Sequence, residues 1–191
     1  MDTEFKATKR SFLISPVAET NSDVEKIINE YIADSKTKGV EVYYPLIHTV
    51  QDKDPIGIQI LTDNMNAILR SNDVKIYYSP KSKGSIFDLG MAFMTEKELG
   101  VLNAEDLKRS QTHENTLVSR FIEKYAFFPK LGVSTMQSEL FGHASFRFQE
   151  FCEGGTFDFT WRGRNSYDLV DFGMAFMARN LCRLKINVTN V

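Results

Sequence analysis

One short stretch of the sequence combines small polar residues with a carboxylate. Ser82, Gly84 and Ser85 stand in the run KSKGSIFD, which ends at Asp88 within an apolar segment. Small residues, hydroxyl groups and backbone N–H groups at the start of a helix suit the binding of an anion such as a phosphate. The carboxylate of Asp88 is either a helix cap or a catalytic group. The spacing from Ser85 to Asp88 is that of a helix-capping box, and spacing alone favours the cap.

The elements that must position this stretch alternate along the chain. Apolar runs with strand character are followed by segments whose apolar residues recur at helical spacing, and the first of these helical segments opens with the capping-box pattern SDVE. Strands are predicted at 11–15, 40–46 and 73–78, and helices at 22–39, 54–71 and 85–97. Such alternation predicts βαβ units and a mainly parallel sheet.

In sheets of this class, ligands bind beyond the carboxyl ends of the strands. The three segments that follow the predicted strands are polar loops or contain Pro and Gly. The architecture is therefore expected to gather at one rim the residues Ser15, Asp54, Ser82, Gly84, Ser85 and Asp88.

The last third of the chain repeats a theme from the first half. The pentapeptide GMAFM begins at residue 90 and again at residue 173, and Asp171 falls where Asp88 does. A worn internal duplication explains this echo. Two helices that pack on a sheet in the same way explain it equally well. The run LCRLKINV near the end predicts a closing strand.

Composition excludes several classes of protein. The hydrophobic content of 42% and charged content of 25% are typical of a globular domain, and the formal net charge of −2 argues against a nucleic-acid polymer or a membrane surface as partner. Two cysteines without C-x-x-C spacing and three scattered histidines favour neither a disulfide framework nor a metal site. No signal peptide or membrane-spanning run is seen, so a cytoplasmic protein without a cofactor is expected.

The stretch PKSKGSIFDLGMAF resembles the signature of the nucleoside 2-deoxyribosyltransferase family and its relatives, the deoxynucleoside 5′-monophosphate N-glycosidases. Further pieces agree in order and separation: FLISPVAE, YYPLIHTVQDKDPIG and DNMNAILRSNDVKIYY. The resemblance covers roughly residues 10–95 and implies an α/β fold, namely a three-layer Rossmann-like sandwich of flavodoxin-like type. The chain is interpreted as a single domain, 1–191, with a family-like core at 10–95 and an extension at 96–191 that contains the possible degenerate repeat.

The resemblance also implies roles for the site residues. Asp88 would be the nucleophile that attacks C1′ of the sugar, and the helix N-terminus would keep it ionised. A 5′-phosphate or 5′-hydroxyl would be held by Ser82, Gly84 and Ser85.

Two neighbouring residues of the second helix are candidates for assisting the leaving base. The resemblance implies that Asn64 contacts the sugar or assists the base, and Asp63 is the candidate second acid. Ser15 would bind substrate from the same rim.

Departures from the family pattern leave the reaction open. The better-known enzymes have Glu where this chain has Asp88, and a Tyr where it has Ser11. The leading hypothesis is an enzyme that cleaves the N-glycosidic bond of a deoxynucleoside or its 5′-monophosphate, as a transferase or a nucleotide N-hydrolase. The alternative is a non-catalytic protein that senses or sequesters a nucleotide. A third hypothesis is a structural partner whose echo helices form an oligomer interface. The resembled families are homo-oligomers, so an oligomer is expected.

Overall fold

A computed structural model of the protein describes residues 9–17, 21–50, 57–79, 81–95, 97–105, 156–161 and 185–190, with helical positions 169, 170, 173, 174, 176, 177, 179 and 180. Four strands form an all-parallel sheet in the order β2-β1-β3-β4. They are β1 (Lys9–Ile14), β2 (Val40–Tyr43), β3 (Asp73–Ile76) and β4 (Glu98–Val101). The α/β class and the parallel sheet predicted from the sequence are confirmed for these residues, and the topology is compatible with a Rossmann-like fold.

Helices connect the strands of this sheet. They are α1 (Ser22–Thr37), α2 (Pro45–His48), α3 (Ile58–Arg70) and α4 (Lys83–Phe93). A parallel pair of strands needs a crossover connection, which α1, α3 and α4 provide. The strand order places β1 and β3 side by side with their connections leaving in opposite directions along the sheet, which is the switch point where ligands bind in folds of this kind.

The alternation of side chains along β1 builds an apolar core on each face of the sheet. Phe12 and Ile14 join α3 and α4 in the larger core, whereas Leu13 points the other way and packs with Val24 and Ile28 of α1. Successive side chains of a strand point to opposite faces, so the apolar run FLI predicts a strand that is covered on both sides. The structure confirms that arrangement.

α4 is unusual because it is buried all round. Every residue from Ser85 to Phe93 is buried, including the carboxylate residue Asp88. A helix that is apolar on all faces belongs inside a protein rather than on its surface. One side of α4 faces the sheet and α3, and another side packs against Val170, Met174 and Met177 in the C-terminal part of the chain.

A second, two-stranded parallel sheet lies near the C-terminus. It consists of β5 (Thr156–Trp161) and β6 (Lys185–Asn190), and Thr156 pairs with Lys185. The predicted closing strand is thus confirmed, and it is joined by a second strand that was not predicted.

The starts of α1 and α3 differ from the sequence prediction. Asn21, rather than Ser22, caps α1, because the Asn21 side chain accepts hydrogen bonds from the N–H groups of Asp23 and Val24. α3 begins after Gly57, whose positive φ of 76° suits a residue without a β-carbon. The predicted cap Asp54 and the following Pro55 lie outside the described residues. Among the described residues, no helix is both long enough and apolar enough to cross a lipid bilayer.

Candidate active site

Asp88 lies on the second turn of α4 with its carboxylate enclosed by protein. Its residue exposure is 6%. The side-chain Nδ2 of Asn64, on α3, donates a 3.0 Å hydrogen bond to Asp88 Oδ2. The other oxygen, Oδ1, is buried and has no hydrogen-bond partner within the described part of the chain. A buried carboxylate oxygen without a donor is energetically costly, so a water molecule or a ligand is expected to supply one.

Burial governs the acidity of this carboxylate. Removal from water raises the pKa of Asp88 from the ordinary value of 3.8 to about 7, although the hydrogen bond from Asn64 acts in the opposite direction. Contrary to the expectation, the helix N-terminus does not hold the pKa of Asp88 low. The stabilisation of negative charge fades beyond the first helical turn, and Asp88 is the sixth residue of α4.

The capping-box interpretation of Ser85 and Asp88 is also wrong. α4 begins at Lys83 with Ser82 at the N-cap position, so Ser85 is already inside the helix. The Ser85 hydroxyl lies 2.8 Å from the Ser82 hydroxyl instead of capping a backbone N–H. A structural capping role therefore does not account for the carboxylate at position 88.

A chain of hydrogen bonds leads away from Asp88 through Asn64. Thr49 Oγ1 donates to Asn64 Oδ1 at 3.1 Å, and the Tyr43 hydroxyl lies 2.8 Å from Thr49 Oγ1. Since the single proton of the Thr49 hydroxyl is used towards Asn64, the Tyr43 hydroxyl must be the donor to Thr49. With Thr49 on its oxygen, the Asn64 amide can only present its NH₂ group to Asp88. This hydrogen-bond relay therefore fixes which group of Asn64 faces the carboxylate.

Packing holds the outer end of the relay in place. The Tyr43 ring stacks on Phe12 at 5.6 Å and on His48 at 5.1 Å between ring centroids. The Tyr44 N–H donates to His48 Nδ1 at 2.9 Å, which ties His48 to the start of α2. Stacked rings on both sides restrict the Tyr43 side chain to one position, so the relay begins from a fixed hydroxyl.

The small residues Ser82, Gly84 and Ser85 at the start of α4 are called the polar edge here. Ser85 is buried, whereas a β-carbon added to Gly84 would meet nothing within 4 Å. The space beside Gly84 is open, so this backbone is accessible to a ligand. With the paired hydroxyl groups of Ser82 and Ser85, the segment offers donors and acceptors at a helix N-terminus.

Ser15 is positioned at the carboxyl end of the neighbouring strand. It follows directly after β1 and is buried, and its hydroxyl has no hydrogen-bond partner within the described part of the chain. The N–H of Tyr77 donates to Ile14 O at 2.9 Å, so the end of β1 is joined to the segment that leads towards α4. Ser15 and Asp88 are thus two buried polar groups with unused hydrogen-bonding capacity, on elements that flank the switch point.

The structure separates Asp63 from this cluster. Its carboxylate accepts a 2.8 Å hydrogen bond from Gln59 and faces a different cleft of about 530 Å³. That cleft is lined by Arg10, Glu41, Tyr43, His48, Asp63, Asn66, Ala67, Arg70 and Ser71. Consecutive helical residues point about 100° apart, so Asn64 faces Asp88 while Asp63 does not. Of the two candidates on α3, the structure brings Asn64 into contact with Asp88.

Sequence reasoning missed the residues that support the site. Tyr43 and Thr49 stand in the segment YYPLIHT with no pattern that distinguishes them from ordinary strand and loop residues. Asn103 is a third case: its side chain accepts from the Tyr78 N–H at 3.0 Å and donates to the Tyr78 carbonyl at 2.9 Å. This reciprocal pair fixes the chain between β3 and α4. A single Asn after a short apolar run forms no motif from which this role could be predicted.

Two further sources of functional information are a metal site and similarity to known proteins. Among the described residues, no group of three or more His, Cys, Asp or Glu side chains is arranged to hold a metal ion. Comparison with models of known protein families, with curated proteins and with solved structures gives no match. The resemblance to the nucleoside 2-deoxyribosyltransferase family therefore stays a prediction from the motifs.

Proposed function

We propose that the protein cleaves the N-glycosidic bond of deoxynucleosides or their 5′-monophosphates, with Asp88 as the nucleophile. One observation carries the proposal: a buried carboxylate oxygen without a partner, Asp88 Oδ1, on the helix whose first turn contains the open Ser82–Ser85 edge. The strand order and the motifs are those expected of a flavodoxin-like relative of that family, and this finer classification belongs to the same proposal.

The chemistry requires an ionised carboxylate next to a sugar. Asp88 Oδ1 supplies an electron pair to C1′ as the bond from C1′ to the base nitrogen breaks, and that nitrogen leaves with the bonding pair. The transition state resembles an oxocarbenium ion, which a neighbouring negative charge stabilises. The product is a glycosyl ester of Asp88, together with a base that takes a proton from solvent or from a hydrogen-bonding neighbour.

The relay sets the state of the nucleophile. Thr49 donates to the amide oxygen of Asn64, so the Asn64 NH₂ group faces Asp88 and donates to Oδ2. Oδ1 is thereby left as the oxygen that attacks. This donation also favours the ionised form of Asp88 against the effect of burial on its pKa. Asn64 is thus proposed to position and ionise Asp88, while Asp63 has no assigned role in the reaction.

The second step determines the class of enzyme. If a second base attacks C1′ of the ester, Asp88 is released and a new nucleoside forms, which is the transferase reaction. If water attacks, the products are the free sugar or its 5-phosphate and the regenerated carboxylate, which is hydrolysis. Ser82, Gly84 and Ser85 are proposed to hold the 5′ end of either substrate.

Burial of Asp88 favours a second candidate function. With 6% exposure, the carboxylate becomes accessible to a sugar only after neighbouring side chains move. A protein that binds a nucleotide at the Ser82–Ser85 edge without cleaving it does not need that movement. In this case the Ser82–Ser85 segment holds the ligand and no covalent step occurs.

Base release distinguishes the two functions. The protein is incubated with each of the four deoxynucleosides and their 5′-monophosphates, with and without a second base, and free base is measured by chromatography. Release or exchange that is lost in Asp88→Ala, and kept in the exposed control Asp23→Ala, supports the nucleophile. Exchange only with an added base identifies a transferase, and release in water identifies a hydrolase.

The negative result is equally informative. Nucleotide binding measured by calorimetry, without any release of base under all these conditions, identifies the binding protein and refutes the enzyme. Base release at an unchanged rate in Asp88→Ala also refutes the proposal, because another residue would then perform the chemistry.

A further inference from the structure

The echo in the sequence corresponds to two structural units of the same design. β3, α4 and β4 form one βαβ unit with parallel strands, and Asp73 pairs with Glu98. β5 and β6 are also parallel, with the helical positions from 169 to 180 between them. β5 begins 83 residues after β3, which is the same separation as that between Gly90 and Gly173. Strand, helix and second strand therefore recur in the same order.

The two helices of these units touch through equivalent residues. A β-carbon added to Gly90 would lie 2.9 Å from the carbonyl carbon of Val170 and 3.0 Å from the backbone nitrogen of Met174, with the Val170 oxygen closer still. These backbone atoms leave no room for a side chain at position 90.

The same contact recurs with the helices exchanged. A β-carbon on Gly173 would lie 3.0 Å from the carbonyl carbon of Phe87 and 3.1 Å from the nitrogen of Met91. Phe87 and Val170 are 83 residues apart, as are Met91 and Met174. Each glycine therefore contacts the same two positions of the other helix. Such a reciprocal contact is typical of an interface with twofold symmetry.

This contact is part of the main core. Val170, Met174 and Met177 are buried together with α4, and the rings of Phe87 and Phe176 meet edge to face at 5.7 Å. Close approach of two helices through glycine allows the backbones to pack directly. The contact therefore covers an apolar face of α4.

We propose that the chain is an internal pseudo-dimer that contains a diverged repeat of the β3–α4–β4 unit. This repeat occupies the face of α4 that would otherwise fit another molecule of the same protein. The partner of that surface is thus the helical part of the second unit, which contacts α4 through Val170, Gly173 and Met174 of the same molecule. In the second copy Asn165 and Tyr167 stand where the first has Ser82 and Gly84, so the copy supports the site helix without repeating its polar edge. This inference holds whether or not Asp88 is a nucleophile.

A double-mutant cycle in the full chain tests the shared contact. Gly90→Ala and Gly173→Ala are each expected to lower the urea midpoint of unfolding, because each β-carbon forces the two helices apart. In the double variant the urea midpoint is expected to fall by less than the sum of the two single decreases, because one separation of the helices accommodates both β-carbons. Gly84→Ala is the matched control on the same helix: its β-carbon meets nothing, so its effect adds to that of Gly173→Ala.

Dilution tests whether the contact lies within one chain. The coupling between positions 90 and 173 is expected to be the same over a hundredfold range of protein concentration, whereas a contact between two chains weakens on dilution. Additive losses, or a coupling that fades on dilution, would overturn the proposal. Should either alanine variant fail to fold, Met91→Ala and Met174→Ala provide the same cycle, because both side chains are buried at this contact.

Discussion

Replacing Asp88 by Asn is expected to stabilise the folded protein above neutral pH. Burial raises the pKa of Asp88 to about 7 in the folded state, compared with the ordinary value of 3.8 for an exposed carboxyl. The folded state therefore holds this proton more tightly than the unfolded chain does. The corresponding stability is fully present below the unfolded pKa and is lost as the pH rises through about 7.

The size of the effect follows from the two pKa values. At about 1.4 kcal/mol for each pH unit, the gap between 3.8 and about 7 corresponds to at most about 4 kcal/mol. Asn at position 88 never ionises and so avoids this loss, and its amide oxygen still accepts from Asn64. The new NH₂ group, placed where Oδ1 has no partner, costs about 1–3 kcal/mol at every pH. The net gain at about pH 8 is then roughly 1–3 kcal/mol.

The assay is urea unfolding of the wild type and Asp88→Asn across a pH series. The stability difference between them should move in favour of Asn by about 3 kcal/mol between about pH 5 and about pH 8. The control is Asp63→Asn on the adjacent helix, which is partly exposed and should change stability by less than about 0.5 kcal/mol. A stability difference that does not vary with pH would refute the argument, since it would mean that burial does not suppress ionisation of Asp88.

Three further predictions concern the relay, the polar edge and a helix end. Asn64→Leu removes the hydrogen bond that lowers the pKa of Asp88, so the acid limb of base release should move to higher pH by roughly one pH unit. Thr49→Val should move that limb in the same direction by less, and Thr49→Ser should restore it; an unmoved limb in both would contradict the relay. Ser82→Ala should raise the KM for a 5′-monophosphate by about tenfold while changing that for the nucleoside little, because a hydrogen bond to a charged group is lost; equal effects on both substrates would count against a phosphate site. Lys97→Met should destabilise the protein by about 1–3 kcal/mol in urea, since the Lys97 ammonium donates to the carbonyls of Ile68, Leu69 and Ser71 at the end of α3; a loss below about 0.3 kcal/mol would show that water replaces these bonds.

Periodicity was sufficient to predict the framework of the fold. The apolar run FLI predicted the buried strand β1, because a strand that is covered on both faces need not alternate in polarity, whereas alternating runs predicted β2 and β3. The same argument predicted that Ser82 precedes the helix after β3 and that Asp88 lies within it, as the structure shows.

The local partners of Asp88 could not be predicted from periodicity. Asn64 and Asp63 are adjacent on α3, and the choice between them depends on the rotation of the helix against the sheet to within a fraction of a turn. Thr49 contacts Asn64, and Tyr43 contacts Thr49, only because the segment after β2 lies against α3, 15 residues further along the chain. Such contacts leave no local pattern.

The start of α4 was mispredicted, and the burial of Asp88 was not predicted, for a related reason. Ser85 and Asp88 have the spacing of a capping box, but the helix begins at Lys83 and carries both residues inward. The buried face of α4 includes the contact with Gly173 and Val170, from a region 83 residues further along the chain. A local capping rule cannot detect such a distant neighbour, nor the rise in the pKa of Asp88 that accompanies burial.

Covalent trapping tests the nucleophile most directly. A 2′-deoxy-2′-fluoro nucleoside is suitable because its fluorine slows breakdown of a glycosyl ester. After incubation, intact-mass measurement and peptide mapping should place one added fluorinated sugar on the peptide that contains Asp88, with none in Asp88→Asn. Base release by the wild type without any sugar on that peptide, or equal labelling of Asp88→Asn, would contradict the account.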